Sequence, residues 1–254
     1  MSGAPLAVVT GGSDGIGRHL VLAFAGAGYD VAFSHIGDEQ CAATAVAELS
    51  SAGHRVLAAR CDAGVVSEVE QFMQRAADWH NGAPDVLVNN AATQTWAPLL
   101  ELREADWDQV IRTNLKGCFI NTQQAARRML AARKSGSIIN IGSGCNKLAF
   151  PKLVDYTASK GGVEQFTKAA AVELGPMGIR VNCVAPGAIA TERTSRESVD
   201  YAGTWSGITP LRRIGTPEDV AGLVLFLATP AASFITGQTV WVDGGLFTQA
   251  NWPY

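Results

Sequence analysis

A tyrosine and a lysine four residues apart are the first groups in this sequence with an evident chemical use. Tyr156 and Lys160 fall in one stretch of helical pattern, where this separation places both side chains on the same helix face. A fixed ammonium group favours the ionised form of a neighbouring phenol, which suits a residue that gives and takes a proton. The same spacing occurs in ordinary exposed helices, so proton transfer at Tyr156 is a hypothesis that needs support from other residues.

A glycine-rich segment near the start of the chain has the composition of a phosphate-binding turn. Residues 10–17 read TGGSDGIG, directly after an apolar run and directly before a helical pattern. Glycines let the backbone turn tightly and approach a pyrophosphate, while the N–H groups and positive dipole of a helix start favour its negative charge. Because the spacing of Gly11, Gly15 and Gly17 differs from the common GxGxxG fingerprint, a plain strand-to-helix turn is the alternative.

The elements that must position these groups follow an alternating pattern. Short apolar runs rich in Val, Ile and Ala alternate with longer amphipathic stretches, which is typical of βαβ units that build a parallel sheet. Continuously apolar runs such as LAVV and IINI indicate strands that are buried on both faces. The predicted strands cover residues 6–10, 30–34, 55–60, 85–89, 137–141, 180–184 and 239–242.

Helical patterns fill the stretches between these strands. The segment TPED at residues 216–219 has the features of a helix start: a capping threonine, a proline and two acids. No linker, low-complexity tract or repeat interrupts the alternation. We therefore predict one doubly wound α/β domain of Rossmann type over residues 1–254, with helices on both faces of a parallel sheet. The predicted helices lie near residues 15–27, 38–52, 65–80, 104–133, 154–175 and 217–228.

One polar stretch breaks the alternation of strands and helices. Residues 186–215 are rich in Thr, Ser and Arg and come after a predicted strand. Connections of this length inside a compact domain are usually functional, and ligands of open α/β sheets bind beyond the carboxyl ends of the strands. We interpret residues 186–215 as a substrate-side flap.

Composition excludes several classes of function. The chain of 254 residues has 47% hydrophobic and 17% charged residues and a net charge of −3, which indicates a folded globule without a basic surface for nucleic acid. The four histidines are dispersed without ligand spacing, so we predict no metal site. Five scattered cysteines suggest a reducing compartment. Because no signal-like or membrane-spanning run is found, we expect a cytoplasmic protein that does not bind membranes.

Taken in chain order, a set of motifs resembles one enzyme family across essentially the whole sequence. The motifs are TGGSDGIG, NNAA at residues 89–92, Asn114, Ser143, YTASK at residues 156–160, PG at residues 186–187 and VDGG at residues 242–245. Together they resemble the classical short-chain dehydrogenase/reductase family, including its glucose-dehydrogenase-like and 3-oxoacyl-acyl-carrier-protein-reductase-like members. This resemblance implies a Rossmann-type fold and a nicotinamide cofactor.

The resemblance assigns chemical roles to four residues. Tyr156 would donate a proton to the carbonyl oxygen during reduction, or accept one during oxidation. Lys160 would favour the ionised phenol and bind the ribose hydroxyls next to the nicotinamide. Ser143 would hold and polarise the substrate oxygen, and Asn114 would anchor a water in a proton relay that reaches Lys160. The hydride chemistry itself belongs to the cofactor.

The resemblance also implies a set of cofactor contacts. The glycines of the turn would surround the pyrophosphate, Asp62 would face the adenine, and Asn89 would line the cofactor groove. A segment that begins at Pro186 would close over the nicotinamide. The expected cofactor-binding residues are Gly11, Ser13, Asp14, Gly15, Ile16, Gly17, Ser34, His35, Asp62, Asn89, Ala91, Tyr156, Lys160, Pro186, Gly187, Ile189 and Thr191.

Two departures from the family pattern bear on the cofactor. Ala92 stands where the family commonly has glycine, which is tolerable if the backbone there does not need a positive φ. At the end of the second strand, where NAD-preferring members place an acid, this chain has His35. Ser34 and His35 can donate hydrogen bonds to a 2′-phosphate, although Asp14 and Ile36 supply no cation. These residues favour NADP(H) slightly over NAD(H).

The substrate is less well defined by the sequence. The expected function is hydride transfer between nicotinamide and a carbonyl or secondary alcohol carbon, with a sugar, polyol or 3-oxoacyl compound as substrate. The alternative is a catalytically silent nucleotide-sensing or scaffold protein of the same fold. Basic residues at Arg127, Arg128, Arg133 and Lys134 could serve an acidic carrier protein or form a solvated helix face. The expected substrate contacts are Gln94, Trp96, Ser143, Cys145 and Tyr156.

Aromatic residues near the end of the chain suggest an oligomer. Trp241 lies in the last predicted strand, and residues 251–254 read NWPY. The family often buries this region between subunits, so the resemblance implies a homotetramer.

Overall fold

The computed structural model describes residues 3–37 and 39–248 and contains one parallel sheet. Its seven strands have the order β3-β2-β1-β4-β5-β6-β7. All seven predicted strands are present, with shifts of one or two residues at several ends. The strands are β1 Leu6–Val9, β2 Asp30–His35, β3 Val56–Arg60, β4 Val86–Asn89, β5 Gly136–Ile141, β6 Ile179–Pro186 and β7 Thr239–Val242.

The helices fill both faces of this sheet, as the resemblance implied. The six predicted helical regions are all helical, although residue 38, the predicted first residue of the second one, lies outside the described part of the chain. The α-helices are α1 Gly15–Gly26, α2 Glu39–Ser51, α3 Val66–His80, α4 Glu104–Ile111, α5 Gly117–Ala131, α6 Val154–Leu174, α7 Thr194–Glu197, α8 Tyr201–Ile208 and α9 Pro217–Ala228.

The region predicted as one helix over residues 104–133 differs from a regular helix. Between α4 and α5 the chain forms a turn of π-helix, Arg112–Lys116, which we call the π turn. A π-helical turn inside an α-helix is rare and frequently lies at a functional site. The buried residue Asn114 is at the centre of this turn and forms hydrogen bonds with groups outside the helix. The hydrophobic periodicity of the sequence does not predict these bonds.

Two apolar clusters, one on each face of the sheet, hold the layers together. On one face Leu20 and Phe24 of α1 and Val224 of α9 contact the strands, and all three are fully buried. On the other face Phe72 of α3 and Met129 of α5 are buried against the strands. Full burial of one such side chain contributes about 1.5–3 kcal/mol, so both helical layers are firmly attached.

The sheet order sets the place of a ligand. The chain moves outwards from β1 in one direction to β3 and then, starting at β4, in the opposite direction to β7. Helices that leave β1 and β4 therefore diverge, and the carboxyl ends of the strands border a crevice at this switch point. The glycine turn follows β1 and Ser143 follows β5, so both motifs lie at this edge of the sheet.

The segment predicted as a flap contains regular structure that the sequence did not reveal. Strand β6 continues to Pro186, two residues beyond its predicted end, because a proline at the last strand position leaves the ladder intact. The connection from β6 to α9 includes the short helices α7 and α8. At its base Ala190 N–H donates to Gly215 O and Gly215 N–H donates to Ala188 O, both at 2.8 Å. These hydrogen bonds hold the two ends of the segment side by side.

Within the described residues, no helix combines the length and the apolar character needed to cross a membrane.

Candidate active site

Lys160 and Tyr156 lie together at the carboxyl edge of the sheet. The Lys160 Nζ atom is 5.6 Å from the centre of the Tyr156 ring. The same Nζ donates a hydrogen bond of 2.6 Å to the carbonyl of Ile141, the last residue of β5. Lys160 is only 3% exposed, whereas Tyr156 is half-buried. The lysine is thus fixed between helix α6 and strand β5 beneath the tyrosine.

Ser143 is held by a short 3-10 turn directly after β5. Its Oγ accepts a hydrogen bond from Cys145 N–H at 3.2 Å, and its own N–H donates to Asn146 Oδ1 at 3.1 Å. This reciprocal capping fixes both the backbone and the hydroxyl. Because Oγ acts as the acceptor in this bond, the O–H of Ser143 remains able to donate to a substrate oxygen.

Asn114 connects the active-site segments. Its side-chain amide donates to Thr93 O at 2.8 Å and to Ser159 Oγ at 3.0 Å, and its Oδ1 accepts from Thr93 N–H at 2.8 Å. Asn114 is 1% exposed. The side chain therefore ties the π turn to the loop after β4 and to α6. Its predicted role in anchoring a water stays a prediction.

The glycine turn packs closely against its neighbours, and only glycine fits at two of its positions. Gly11 has a φ of +65°, and a Cβ atom there would lie 2.9 Å from the Cα of Ala91. A Cβ atom at Gly17 would overlap the carbonyl oxygen of Gly11 and lie 2.5 Å from Asn90 Nδ2. Helix α1 starts at Gly15 after an extended Asp14, so its first N–H groups face the crevice. These features fit a pyrophosphate.

Two residues outside the predicted site hold the glycine turn in place. Asn90 Nδ2 donates to the carbonyls of Thr10 and Gly11 at 3.0 and 2.8 Å. Thr10 Oγ1 accepts from the N–H groups of Asn90 and Ala91, each at 3.0 Å. These contacts join β1 to β4 across the switch point. Both residues stand in motifs that the sequence displays, but their pairing requires the strand order.

Several predicted cofactor residues have side chains engaged within the protein. Ser34 Oγ accepts from Gly11 N–H at 3.3 Å, and Ser34 is 1% exposed beneath the turn. The amide of Asn89 donates to Asn140 Oδ1 and Thr122 Oγ1, so this side chain joins β4 to β5 and α5. Direct contacts of Ser34 and Asn89 with a cofactor stay predictions.

The remaining predicted cofactor residues surround the crevice. Ser13 is buried in the turn, while Ile16 is half-buried and His35, 8% exposed, ends β2. Asp62 follows β3, and its carboxylate accepts from Gly64 N–H and from Arg112, each at 2.9 Å. On the opposite side, Gly187 N–H bonds to Val242 O and Ile189 is buried at the flap base. The Thr191 methyl lies 4.0 Å from the Cβ position that Gly15 lacks, so the flap begins above the glycine turn.

The substrate candidates differ in exposure and chemistry. Cys145 is buried next to Ser143, and this burial raises the pKa of its thiol. Burial also raises the pKa of Cys118 to about 12 and that of Cys183 to about 11. These thiols are neutral at physiological pH and do not act as nucleophiles. Gln94 is half-buried and Trp96 is 55% exposed at the rim.

An aromatic cluster, which we call the aromatic wall, lies beside the turn after Ser143, where the Phe247 ring fills the space next to Gly144. The cluster joins helix α8 to the loop after β5 and to the segment after β7. Ring centres lie 6.2 Å apart for Phe150 and Trp205 and 6.0 Å apart for Phe150 and Phe247. Trp241 is half-buried against Phe247 at 6.1 Å, so most of this ring packs within its own subunit. Residues 251–254, also cited for an oligomer, lie outside the described part of the chain.

The basic residues near the end of α5 are partly committed to other contacts. Arg128 donates to the Gln124 side chain at 2.9 Å, and Lys134 forms an ion pair of 2.7 Å with Asp85. Arg127 and Arg133 are exposed. Lys134 is thus paired with an acid, whereas Arg128 is held in place by a hydrogen bond and keeps its positive charge.

Comparisons with known proteins agree with this geometry. A family model described as enoyl-(acyl carrier protein) reductase matches residues 11–247. The 3-oxoacyl-(acyl-carrier-protein) reductase FabG of Staphylococcus epidermidis is 40% identical over 241 residues, covering 95% of this chain and 98% of that protein. The 3-oxoacyl-(acyl-carrier-protein) reductase of Synechocystis is 41% identical over 244 residues, covering 96% and 97%.

Solved structures have the same fold. A gluconate 5-dehydrogenase from Burkholderia cenocepacia, in complex with NADP and tartrate, has a TM-score of 0.90 and 34% identity, and the match covers 98% of this chain and 97% of that one. A short-chain type dehydrogenase/reductase from Mycobacterium marinum also has a TM-score of 0.90 and 34% identity, with 95% of each chain covered. Nothing in these comparisons supports a catalytically silent protein. The chain belongs to the classical short-chain dehydrogenase/reductase family and is an NAD(P)-dependent oxidoreductase.

Proposed function

We propose that Tyr156 transfers the proton and Ser143 holds the substrate oxygen while a hydride moves between nicotinamide and a carbonyl or alcohol carbon. The observation that carries this proposal is the position of Lys160, whose Nζ lies 5.6 Å from the Tyr156 ring and is fixed to the end of β5. Ser143 follows β5 at the same edge of the sheet, which supports a role for all three groups at the crevice beside the glycine turn. The bound nicotinamide would supply or accept the hydride.

The chain's own groups have the hydrogen-bonding capacity for these roles. An ammonium has three N–H donors, and Lys160 uses one of them on Ile141 O. The other two can stabilise an ionised Tyr156 and bind ribose hydroxyls. Ser143 can donate its O–H to the substrate oxygen while Tyr156 donates its proton to the same atom. In oxidation the same groups act in reverse, with Tyr156 accepting the alcohol proton.

For the cofactor we propose a preference for NADP(H). His35 ends β2 where a carboxylate would repel a 2′-phosphate, and the related Burkholderia enzyme was crystallised with NADP. Arg18 could assist, although it pairs with Glu48 of α2 at 2.5 Å and a phosphate would have to compete with this carboxylate. The preference therefore depends mainly on His35. Replacing His35 with Asp should lower kcat/KM for NADPH relative to NADH, and a His54→Asp variant, altered in the loop before β3, should leave this ratio unchanged.

The proposed substrate is a 3-oxoacyl compound. The aromatic wall of Phe150, Trp205 and Phe247 next to Ser143 favours a substrate with an apolar part, and FabG proteins are similar over nearly the whole chain. A sugar or polyol acid is the second candidate, because the Burkholderia relative is a gluconate 5-dehydrogenase. The ion pair of Lys134 with Asp85 lowers the positive charge that this end of α5 can offer to an acidic carrier protein, which favours a small thioester as substrate.

The first test compares binding of NADPH and NADH to the wild-type protein by calorimetry. Turnover of 3-oxoacyl thioesters, gluconate and simple sugars is then measured with the cofactor that binds more tightly. Reduction of a 3-oxoacyl thioester with NADPH would support the proposal. If the enzyme turns over only gluconate or sugars, the substrate is the second candidate. If the protein binds neither cofactor, the assignment of the site is contradicted.

We further propose a cytoplasmic homotetramer of single-domain subunits, with residues 186–215 acting as the flap over the substrate. Exposed apolar side chains on α5 and α6, such as Phe119 and Val172, support the assembly. The fixed base of the flap and its aromatic contacts through Trp205 support a role in shaping the substrate pocket.

A further inference from the structure

Asp62 lies on the side of the crevice that the adenosine half of the cofactor would occupy. The glycine turn at the end of β1 fixes the place of the pyrophosphate, and Tyr156 and Lys160 on the β5 side fix the place of the nicotinamide. The other half of a dinucleotide must then extend over β2 and β3. Asp62 follows β3 there and starts a short loop, residues 62–64, which we call the adenosine loop.

The adenosine loop is held by a residue from the catalytic half of the molecule. Arg112 NH1 donates to Asp62 Oδ2 at 2.9 Å, while Arg112 NH2 donates to Gln109 Oε1 at 2.7 Å. The side chain of Asp62 is 14% exposed and that of Arg112 34% exposed, so solvent screens the pair only in part. This ion pair holds the adenosine loop in one orientation.

Close backbone packing continues this connection. A Cβ atom at Gly64 would lie 2.8 Å from the carbonyl oxygen of Arg112, so the loop rests directly on the π turn. Asn121 of α5 donates to Ala63 O at 3.2 Å, and the space beside Gly117 is also filled by Ala63. The adenosine loop is therefore packed directly against the π turn and the start of α5.

The same π turn contacts the catalytic helix on its other side. Asn114, two residues after Arg112, donates to Ser159 Oγ at 3.0 Å. Ser159 Oγ in turn donates to the carbonyl of Tyr156 at 2.8 Å. A continuous set of contacts thus runs from Asp62 through Arg112 and the π turn to the backbone of the catalytic tyrosine.

We propose that Arg112 is a positioning residue that couples binding of the adenosine half of the cofactor to the placement of Tyr156. Binding energy from a remote part of a ligand can raise the rate at the reacting centre when it fixes the geometry there. Here the bound adenosine would contact the adenosine loop and hold it in place. Through its bond to Asp62, Arg112 would then also hold Asn114 and α6 in place. The inference rests on the proposed function, because it assumes a dinucleotide in the crevice.

The test uses Arg112→Met, which keeps the aliphatic stem and removes the charge. The matched control is Arg103→Met, because Arg103 also pairs with an aspartate, Asp106, but on the exposed start of α4. Two nicotinamide donors are compared on the substrate found for the wild type: NADPH, and reduced nicotinamide mononucleotide, which lacks the adenosine. Affinity for 5′-ADP, the adenosine half of NADH, which NADPH carries with an additional 2′-phosphate, is measured by calorimetry.

With NADPH, Arg112→Met should lower kcat about tenfold, within the usual range of coupling between sites. Affinity for 5′-ADP should fall by a similar factor, while the rate with the mononucleotide should not change. Arg112→Lys should recover part of the loss. Arg103→Met should match the wild type in every measurement.

Equal loss of rate with both donors would overturn the inference, because it would indicate a general structural defect. Unchanged kcat with NADPH would overturn it as well. A wild-type protein that fails to bind 5′-ADP would instead contradict the proposed function. If the wild type binds 5′-ADP and Arg112→Met binds it equally tightly, only the role of Arg112 is contradicted.

Discussion

At the scale of single residues, Lys160 is the most unusual group in the site. Lysine is rarely buried, because an ammonium loses its hydration and must regain hydrogen bonds from the protein. Lys160 is 3% exposed and bonds to the carbonyl of Ile141 at 2.6 Å. A neutral side chain of similar shape would suit this position better for stability alone. The buried charge next to Tyr156 is the feature on which the proposed proton transfer depends.

Replacing Tyr156 with Phe should remove proton transfer and leave the rest of the site in place. We expect turnover to fall about 10²- to 10⁴-fold, the usual contribution of general acid–base catalysis. Cofactor affinity should change little, because the Lys160 anchor on Ile141 does not involve the phenol. Steady-state kinetics and calorimetry measure the two effects. Tyr29→Phe, altered at the opposite end of the sheet before β2, is the control, and wild-type turnover in Tyr156→Phe would contradict the mechanism.

At the scale of elements, the start of α1 depends on the absence of side chains. Gly17 lies in the first turn of the helix and closely approaches both Gly11 and Asn90. Helix propensity alone would favour alanine at this position by about 1 kcal/mol. The close approach of β1, β4 and α1 outweighs that preference, because a methyl group would push the glycine turn out of the place where a pyrophosphate binds.

Gly17→Ala should therefore weaken binding of NADPH by at least about tenfold, which corresponds to ~1.4 kcal/mol. Gly26→Ala is a matched control in the same helix, because no atom lies within 4 Å of the added Cβ position. The control should bind NADPH as the wild type does and gain stability of about 0.5–1 kcal/mol. Binding is measured by calorimetry and stability by urea unfolding. Normal binding in Gly17→Ala would show that the turn can shift without loss.

The start of α9 carries a charge pair that depends on pH. Hydrogen bonds from Arg213, and then from Thr216 N–H, lower the pKa of Asp219 from 3.8 to about 2. The folded state thus favours the ionised carboxylate. Its stabilising effect is fully present above pH 3.8 and is lost as the pH falls through about 2. Because Arg213 belongs to the end of the flap connection, this pair fixes that connection to α9.

Asp219→Asn should lower the free energy of unfolding by about 0.5–1 kcal/mol at neutral pH, as expected for a capping group at a helix start. The difference from the wild type should shrink as the pH falls below 3.8 and vanish near 2. Urea unfolding at a series of pH values measures both parts. Asp106→Asn, which alters the exposed pair with Arg103, is the control and should have a smaller effect. A difference that does not depend on pH would contradict the charge-based explanation.

At the scale of the whole molecule, apolar side chains remain on the outer faces of α5, α6 and α9. Val172 is 76% exposed, Phe119 46% and Phe226 41%. Exposed apolar patches on a folded chain usually mark contacts with other chains. Phe119 of α5 and Phe166 of α6 also pack edge to face, so apolar side chains of the two helices are in contact.

The proposed homotetramer predicts a particle about four times the 26.7 kDa mass of the chain. Light scattering coupled to size-exclusion chromatography measures this mass. Val172→Glu should reduce it, because the charge would be buried in a contact between subunits. Glu173→Gln, at the neighbouring exposed position, should leave the mass unchanged. A monomeric wild type would contradict the proposal.

The sequence by itself determined the parts that depend on neighbours along the chain. Apolar runs and helix-start signals located the strands and helices, and the spacing of Tyr156 and Lys160 predicted their shared helix face. The glycine turn could be found because strand, glycines and helix are consecutive. Such features need only the periodicity of strands and helices and the conformational freedom of glycine.

Only the tertiary structure decided which distant residues meet. Asn90 and Thr10 are 80 residues apart in the chain, and Arg112 and Asp62 are 50 apart, yet each pair is in hydrogen-bond contact. These contacts follow from the order of the strands, which places β4 beside β1, and from the packing of the helices on the sheet. The π turn and the aromatic wall have the same origin: they form where packing between separate elements outweighs the local preference of the chain.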